Sequence, residues 1–440
     1  MIRLLTSTAL ISVVLGAGVA SADSFAINEY TSSDLGRANS GRVVQTEDPA
    51  AAFGNPALMT DFDGKAVSVG VSAILGDATY TDLGSTDAIG QPLGGDTSGI
   101  IEDAYVPYAH GVFPIAEKWW LGISVTAPFG LATAYEDDWS GRYQAIDSDL
   151  KTININPSLA YKLNDQFSFG GGVSIQYVEA ELSSGIDFGT VCFSQVGPAQ
   201  CSALGVLPQT ADGRSTIEGE DWSIGWNLGM TYTPNNAWKF GFHYRSGVDH
   251  KLTGDADFEV PAQAQFLTAT GAFMDTPAKA YLDLPAAWEI GASWKVTPKA
   301  TIYADAIWME WSSLEELRVQ FTNNAQPDSV EPLRYEDAGR YSIGADYDLT
   351  DSWTIRAGFA YDETPVQPDH RSARIPDHDR QIYAVGTSWT PVENWTFDLA
   401  YNRIEIGETT FDATGRFNDR VYGDYTGEAD LIAISATKRF

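Results

Sequence analysis

One short pattern limits the possible folds of this chain more than any other feature. A few turn residues are followed by an aromatic, and then large apolar residues alternate with small or polar ones. It reads TPVENWTFDLAYN at 390–402, TPNNAWKFGFHYR at 233–245, LTDSWTIRAGFAY at 349–361, LNDQFSFGGGVSIQY at 163–177 and PIAEKWWLGISV at 114–125. Successive side chains of a strand point to opposite faces, so each repeat is a strand with two unlike sides. After Trp395, the residues Phe397, Leu399 and Tyr401 share one face, and Thr396, Asp398, Ala400 and Asn402 share the other. After Trp238, Phe240, Phe242 and Tyr244 oppose Lys239, Gly241, His243 and Arg245.

Runs of this kind fall near 64–80, 103–114, 119–133, 149–163, 166–182, 221–233, 237–252, 283–296, 299–312, 334–348, 352–362, 379–389, 394–407 and 428–440. That makes fourteen strands. Short turns and long connections alternate strictly between them. In an up-and-down antiparallel sheet, all short turns then lie at one end and all long loops at the other. A soluble β-sandwich shares the alternation. Three features favour a transmembrane barrel instead: aromatics set at one level just after the turns, an even strand count, and a last strand, ADLIAISATKRF, ending on the aromatic Phe440. The expected fold is therefore all-β, a fourteen-stranded antiparallel transmembrane β-barrel, with short turns in the periplasm and long loops outside the cell.

The first 22 residues read as a secretory leader. Arg3 precedes a short apolar run, LLTSTALISVVLGAGVA, and Ala20-Ser21-Ala22 is an A-x-A cleavage site. The domains expected are thus a leader at 1–22, an N-terminal segment at 23–63 and the barrel at 64–440. A net charge of −32 argues against nucleic-acid partners, which need a basic face. The two cysteines, Cys192 and Cys201, lie in one loop. In an oxidising export compartment they are expected to pair as a disulfide rather than to hold a metal, because no histidine is near in sequence. No metal, phosphate-loop or dinucleotide motif occurs, so no cofactor is expected.

Two segments depart from the strand pattern. GISVTAPFGLAT at 122–133 places Pro128, Phe129 and Gly130 inside the third strand. Proline cannot donate to the ladder, so the strand either ends near Ala127 or kinks and leaves a gap in the wall. Residues 23–63 are rich in small residues and helical hints, and contain no strand pair. A fourteen-strand cylinder is too wide for its own side chains to fill, so this segment is expected to fold into the lumen as a plug.

With these features in place, the chain resembles the FadL family, which moves long-chain fatty acids and other hydrophobic compounds across the outer membrane. The resemblance rests on SFAINEYTSSDLGRANSG, on NPAL at 55–58, on LPAAWEIGASW (284–294), on WSSLEELRV (311–319) and on PDHRSARIPDHDR (368–380). It implies a hatch inside the barrel with the triplet Asn55, Pro56 and Ala57, and a third strand kinked at Gly130. Ligand would be caught at extracellular loops, held in an internal pocket, and released sideways into the membrane. It also implies Phe25 as a ligand contact and Arg318 as the cation meeting the ligand carboxylate. The stretch YVEAELSSG (177–185) departs from the family by offering acids and serines where a second basic residue can stand.

The expected partners are a long-chain fatty acid or another hydrophobic small molecule, together with outer-membrane lipid, and the expected unit is a monomer. Neutral aromatics or alkanes are the alternative cargo. In the long loops, Phe193, Leu207, Phe266, Leu267 and Phe273 suggest a capture groove, and packing of the loops on each other is the equal alternative. A membrane hydrolase and a general porin are the rivals. None of the five histidines stands in a catalytic spacing, and His370 and His378 sit in the charged loop 363–378. No enzymatic activity is expected.

Overall fold

The computed structural model describes residues 24–440; the expected leader at 1–22, with Asp23, lies outside the described residues. Strand β1 is Ala66–Asp82 and β2 is Ala104–Ala116. Strand β3 comes in two pieces, Trp119–Thr126 and Gly130–Ala134. Strands β4, β5 and β6 are Asp147–Lys162, Phe167–Asp187 and Asp212–Asn235. Four strands are each interrupted once: β7 (Trp238–Arg245, Val248–Glu259), β8 (Thr276–Leu284, Ala287–Thr297), β9 (Ala300–Met309, Glu316–Phe321) and β10 (Ser329–Pro332, Ala338–Thr350). Strands β11 to β14 are Trp353–Asp362, Arg380–Val392, Trp395–Thr414 and Arg420–Arg439. Each pairs antiparallel with the next. β1 pairs along its whole length with β14, from Ala66 opposite Arg439 to Asp82 opposite Gly423, which closes a fourteen-stranded barrel.

The outer face is apolar. Trp238, Trp294, Trp353, Trp389 and Trp395 are all exposed on it near the short turns. Trp238 and Trp294 stack 5.4 Å apart, and Trp389 lies 5.9 Å from both Trp353 and Phe397. Aromatic rings at one level suit the boundary between lipid and water. Among the described residues no helix is long and apolar enough to cross a membrane.

The short-turn ends fall within three residues of where the sequence places them. At the long-loop end the strands run further. β6 begins at Asp212 rather than near 221, and the β13–β14 hairpin extends to Thr414 and Arg420 rather than stopping near 407 and 428. The added stretch DGRSTIEGE at 212–220 is polar but for Ile217, whereas that of the β13–β14 hairpin turns Phe411, Val421 and Tyr425 inward into a buried cluster and polar residues outward. A ribbon standing above the membrane meets water on its outer face, so the apolar-outward alternation that marks a membrane strand is lost there.

Residues 24–61 form two short helices, α1 (Ser32–Leu35) and α2 (Ala51–Gly54), and a 3-10 turn, Pro56–Asp61. Nearly every residue here is buried. Its partners lie on inward positions around the barrel, which places it in the lumen. Ser32 shares a 2.6 Å hydrogen bond with Tyr108 on β2, and Trp120 Nε1 on β3 donates to the Phe62 carbonyl at 2.9 Å. Asn55 Nδ2 donates to the Met230 carbonyl on β6 at 3.2 Å. The guanidinium of Arg37, fully buried, binds Asp34 at 2.8 Å and Asp346 on β10 at 2.5 Å. Arg356 on β11 binds Glu47 at 2.6 Å. Breaking one partner of such a buried pair strands the other charge, at a cost of about 3–5 kcal/mol.

Glycines on the inward face make room for this segment. A Cβ at Gly170, Gly229 or Gly241 would run into Ala57, Asn55 or Val43, and one at Gly344 or Gly358 would run into Arg37. Glycine inside a strand marks close approach by another backbone. Gly358→Val is therefore expected to lower thermal stability by about 1–3 kcal/mol through overpacking and to lift the segment off the wall. Planar-bilayer conductance should rise; a conductance equal to wild type would show that the segment does not block the lumen.

Candidate functional site

The site begins where β3 fails as a strand. Its ladder to β4 runs from Trp119 opposite Tyr161 to Thr126 opposite Asn154, then resumes one residue out of step, with Gly130 opposite Lys151. On the other side, β2 pairs with β3 only from Ala109 onward, so Ala104–Tyr108 have no partner on β3. The wall is interrupted between these strands.

Lipid offers no hydrogen bonds, so freed backbone groups need partners within the protein. The lumen segment supplies them. Ile27 N donates to the Pro128 carbonyl at 2.8 Å, Gly130 N donates to the Phe25 carbonyl at 2.9 Å, and Ala26 bridges Phe129. Thr152 on β4 serves Phe129 twice. Its hydroxyl accepts from Phe129 N at 2.9 Å and donates to the Phe129 carbonyl at 2.6 Å.

Three aromatics stand behind the break. Phe25 lies 4.8 Å from Trp311 edge-on and 6.1 Å from Phe129, and Trp311 is fully buried. Trp311 reaches this position because β9 turns inward through a 3-10 turn, Trp311–Ser313. Above the cluster is an apolar chamber lined by Phe25, Leu131, Leu150, Leu252, Leu282 and Leu314 among others. A wider, mixed-polarity vestibule adjoins it toward the long loops. The two share Leu182, Ile217, Leu317, Val319 and Arg374.

The residues singled out in the sequence fall into separate places. Phe25, Pro128, Phe129 and Gly130 come together at the break. Asn55, Pro56 and Ala57 form a capping turn at the base of the lumen segment: Asn55 accepts from Ala57 N at 3.1 Å and donates to the Val43 carbonyl at 3.0 Å, with Pro56 at the first position of the turn. The structure does not bring Arg318 to the chamber. Its neighbours Leu317 and Val319 line the cavity, while its guanidinium pairs with Glu316 at 2.6 Å and Asp328 at 3.2 Å.

The long loops mostly pack on each other. Phe193, Leu267 and Phe273 join one cluster with helices α3 (Phe188–Gln195) and α4 (Pro198–Ala203), leaving Leu207 and Phe266 exposed. Cys192 and Cys201 are joined between these helices.

Sequence reasoning missed Thr152, Trp311, Arg374 and the chamber leucines. One signal was available. Inward positions beside the lumen segment are small or polar, whereas Leu252, Leu282 and Leu284 are large and apolar on the inward face and their outward neighbours Asp249, Lys251, Lys279 and Asp283 are charged, so the apolar side of these strands switches inward at the chamber.

A closed barrel with an apolar exterior, a filled lumen and an apolar chamber beside a broken wall defines a membrane-spanning protein built to admit apolar molecules. The family described as "Outer membrane protein transport protein (OMPP1/FadL/TodX)" matches residues 13–440. The long-chain fatty acid transport protein of Escherichia coli O6:H1 is 33% identical over 418 residues, covering 90% of this chain and 90% of the relative. The crystal structure of a Pseudomonas aeruginosa FadL homologue superposes with a TM-score of 0.87 at 26% identity, covering 95% of this chain and 100% of that one. The Ralstonia pickettii toluene transporter TbuX has the same fold, with a TM-score of 0.68 at 20% identity over 93% of this chain and 98% of that one. The chain belongs to the FadL/TodX family of outer-membrane transport proteins, and its place is the bacterial outer membrane.

Thr152→Val keeps the shape of residue 152 but leaves Phe129 N and its carbonyl without their partner. The expected cost is about 1–3 kcal/mol, read as faster amide exchange at Phe129 and Gly130 and a lower midpoint of unfolding. Wild-type exchange there would mean that Thr152 does not hold the bulge.

Proposed function

We propose that this protein carries long-chain fatty acids across the outer membrane by passive diffusion. Cargo enters at the extracellular loops, passes through the vestibule to the apolar chamber, and leaves sideways into the membrane at the break in β3. Residues 23–63 act as a hatch that keeps polar solutes from crossing the lumen. Each barrel holds a complete route, so the working unit is a monomer.

The observation that carries this reading is that the chamber and the break share a wall: Phe25 lines the chamber and Gly130 N donates to its carbonyl. The energetics fit without an energy source. Each methylene moved from water into an apolar site contributes about 0.8 kcal/mol, so a long chain drives its own entry. Lipid beyond the break is equally apolar, so exit needs no return to water. Leu207 and Phe266, exposed on the loop cluster, are the proposed first contacts.

A second reading, uptake of neutral compounds by the same route, is favoured by two observations. The chamber lining is almost wholly apolar, and the fold is shared with proteins described as toluene transporters.

Uptake of labelled oleate and of toluene, in cells lacking their own transporter, decides between the cargoes. Replacing Pro128 and Gly130 together by valine should restore a regular β3 and cut uptake of the preferred cargo several-fold. Uptake as fast as wild type, with the variant inserted and folded, would remove the lateral exit.

A further inference from the structure

Among the described residues, Arg374 is the one charged residue that borders both the vestibule and the apolar chamber. Its loop, 363–379, connects β11 to β12. Nη1 donates to the Asp147 carbonyl at 3.1 Å, to Ser148 Oγ at 3.0 Å and to the Ser183 carbonyl at 3.2 Å. Nη2 donates to the Gln144 carbonyl at 3.0 Å. These bonds fix the guanidinium plane. They leave the Nε–H and one Nη2–H, which together form an edge that can grip a carboxylate with two parallel bonds.

A carboxylate already stands there. Glu331 Oε2 lies 3.4 Å from Nε, too far for a good hydrogen bond, while Ser372 Oγ donates to Oε1. The Glu331 side chain is 34% exposed and lines the vestibule, so it has water to move into. A second cation, Arg416, lines the same vestibule from the β13–β14 hairpin. It has no hydrogen-bond or ion-pair partner among the described residues.

Resting on the transport reading above, we propose that Arg374 binds the head group of an anionic cargo. A carboxylate displaces Glu331 from the Nε–Nη2 edge while the alkyl chain lies in the apolar chamber below. Arg416 draws the head group in at the rim. The exchange swaps one carboxylate for another on the same cation, so its electrostatic cost is small. Glu331 regains water, and chain burial supplies the net drive. A chain of net charge −32 repels anions at long range, and the vestibule carries Asp328, Glu331, Asp369 and Asp412 beside Arg371, Arg374 and Arg416, so the attraction comes from burial of the alkyl chain and direct contact with the Arg374 edge. The site therefore selects long-chain anionic amphiphiles over neutral ones, held with the head group toward the vestibule and the tail toward Phe25.

The test compares oleate with methyl oleate, its neutral ester of equal chain length, binding to the purified full-length protein in detergent. Arg374→Gln should weaken oleate by at least about tenfold, the loss of one charge-assisted pair, and bring the oleate-to-ester affinity ratio toward one. Because Arg374 also ties together several backbone carbonyls, two further variants give independent readings. Glu331→Gln removes the competing carboxylate and should tighten oleate several-fold, a gain that a structural role does not produce. Arg416→Gln should weaken oleate by about threefold and flatten its salt dependence. An unchanged ratio in both Glu331→Gln and Arg416→Gln, or ester binding that moves in step with oleate, overturns the assignment of Arg374. Wild-type protein that binds neither ligand overturns the transport reading instead.

Discussion

Everything in this structure depends on one constraint: within lipid, every backbone N–H and C=O must find its partner inside the protein. Thirteen neighbouring pairs and the β1–β14 seam meet it by ladder bonding. Where the ladder between β2 and β3 lapses, the constraint still holds, and the substitutes are specific. Ile27 takes up the Pro128 carbonyl, Phe25 takes up Gly130 N, and Thr152 takes both groups of Phe129. A break in a membrane wall is thus tolerated only because the lumen segment stands behind it. The hatch and the break are one unit.

The same unit ties the wall to the interior chemistry. Phe25 contributes its backbone to the break and its ring to the chamber, edge-on to Trp311. A shift of residues 25–27 would therefore alter both the bonding of β3 and the floor of the chamber. The rest of the hatch resists such movement. Arg37, Asp346, Arg356 and Glu47 form a buried or half-buried network, and inward glycines let backbone meet backbone.

Charge has a divided role. On the outside and in the loops it keeps an acidic protein solvated. In the lumen it is paired and anchors the hatch. Among the described residues, Arg371, Arg374 and Arg416 are the arginines that line the vestibule. Arg318 shows why residue type and neighbourhood in sequence do not settle such a role. It sits one residue from two chamber-lining side chains, yet strand alternation turns it the other way, toward Glu316 and Asp328.

The sequence by itself determined the barrel: the number of strands, the ends at which short turns and long loops fall, the apolar outer face and the aromatic level all follow from a period of two residues set against turn chemistry, which are local properties. It also marked Pro128 and Gly130 as a fault in β3, because proline cannot donate to a ladder. Only the tertiary structure decided how the fault is held. Which backbone groups hold it, which loop residues pack on each other, and which arginine reaches the chamber depend on contacts between residues distant in the chain, from 23 positions apart for Thr152 and Phe129 to 230 for Arg374 and Gln144. Such contacts leave no periodic trace in the chain, since they are set by how the hatch, the inward turn of β9 and the loop 363–379 share one lumen.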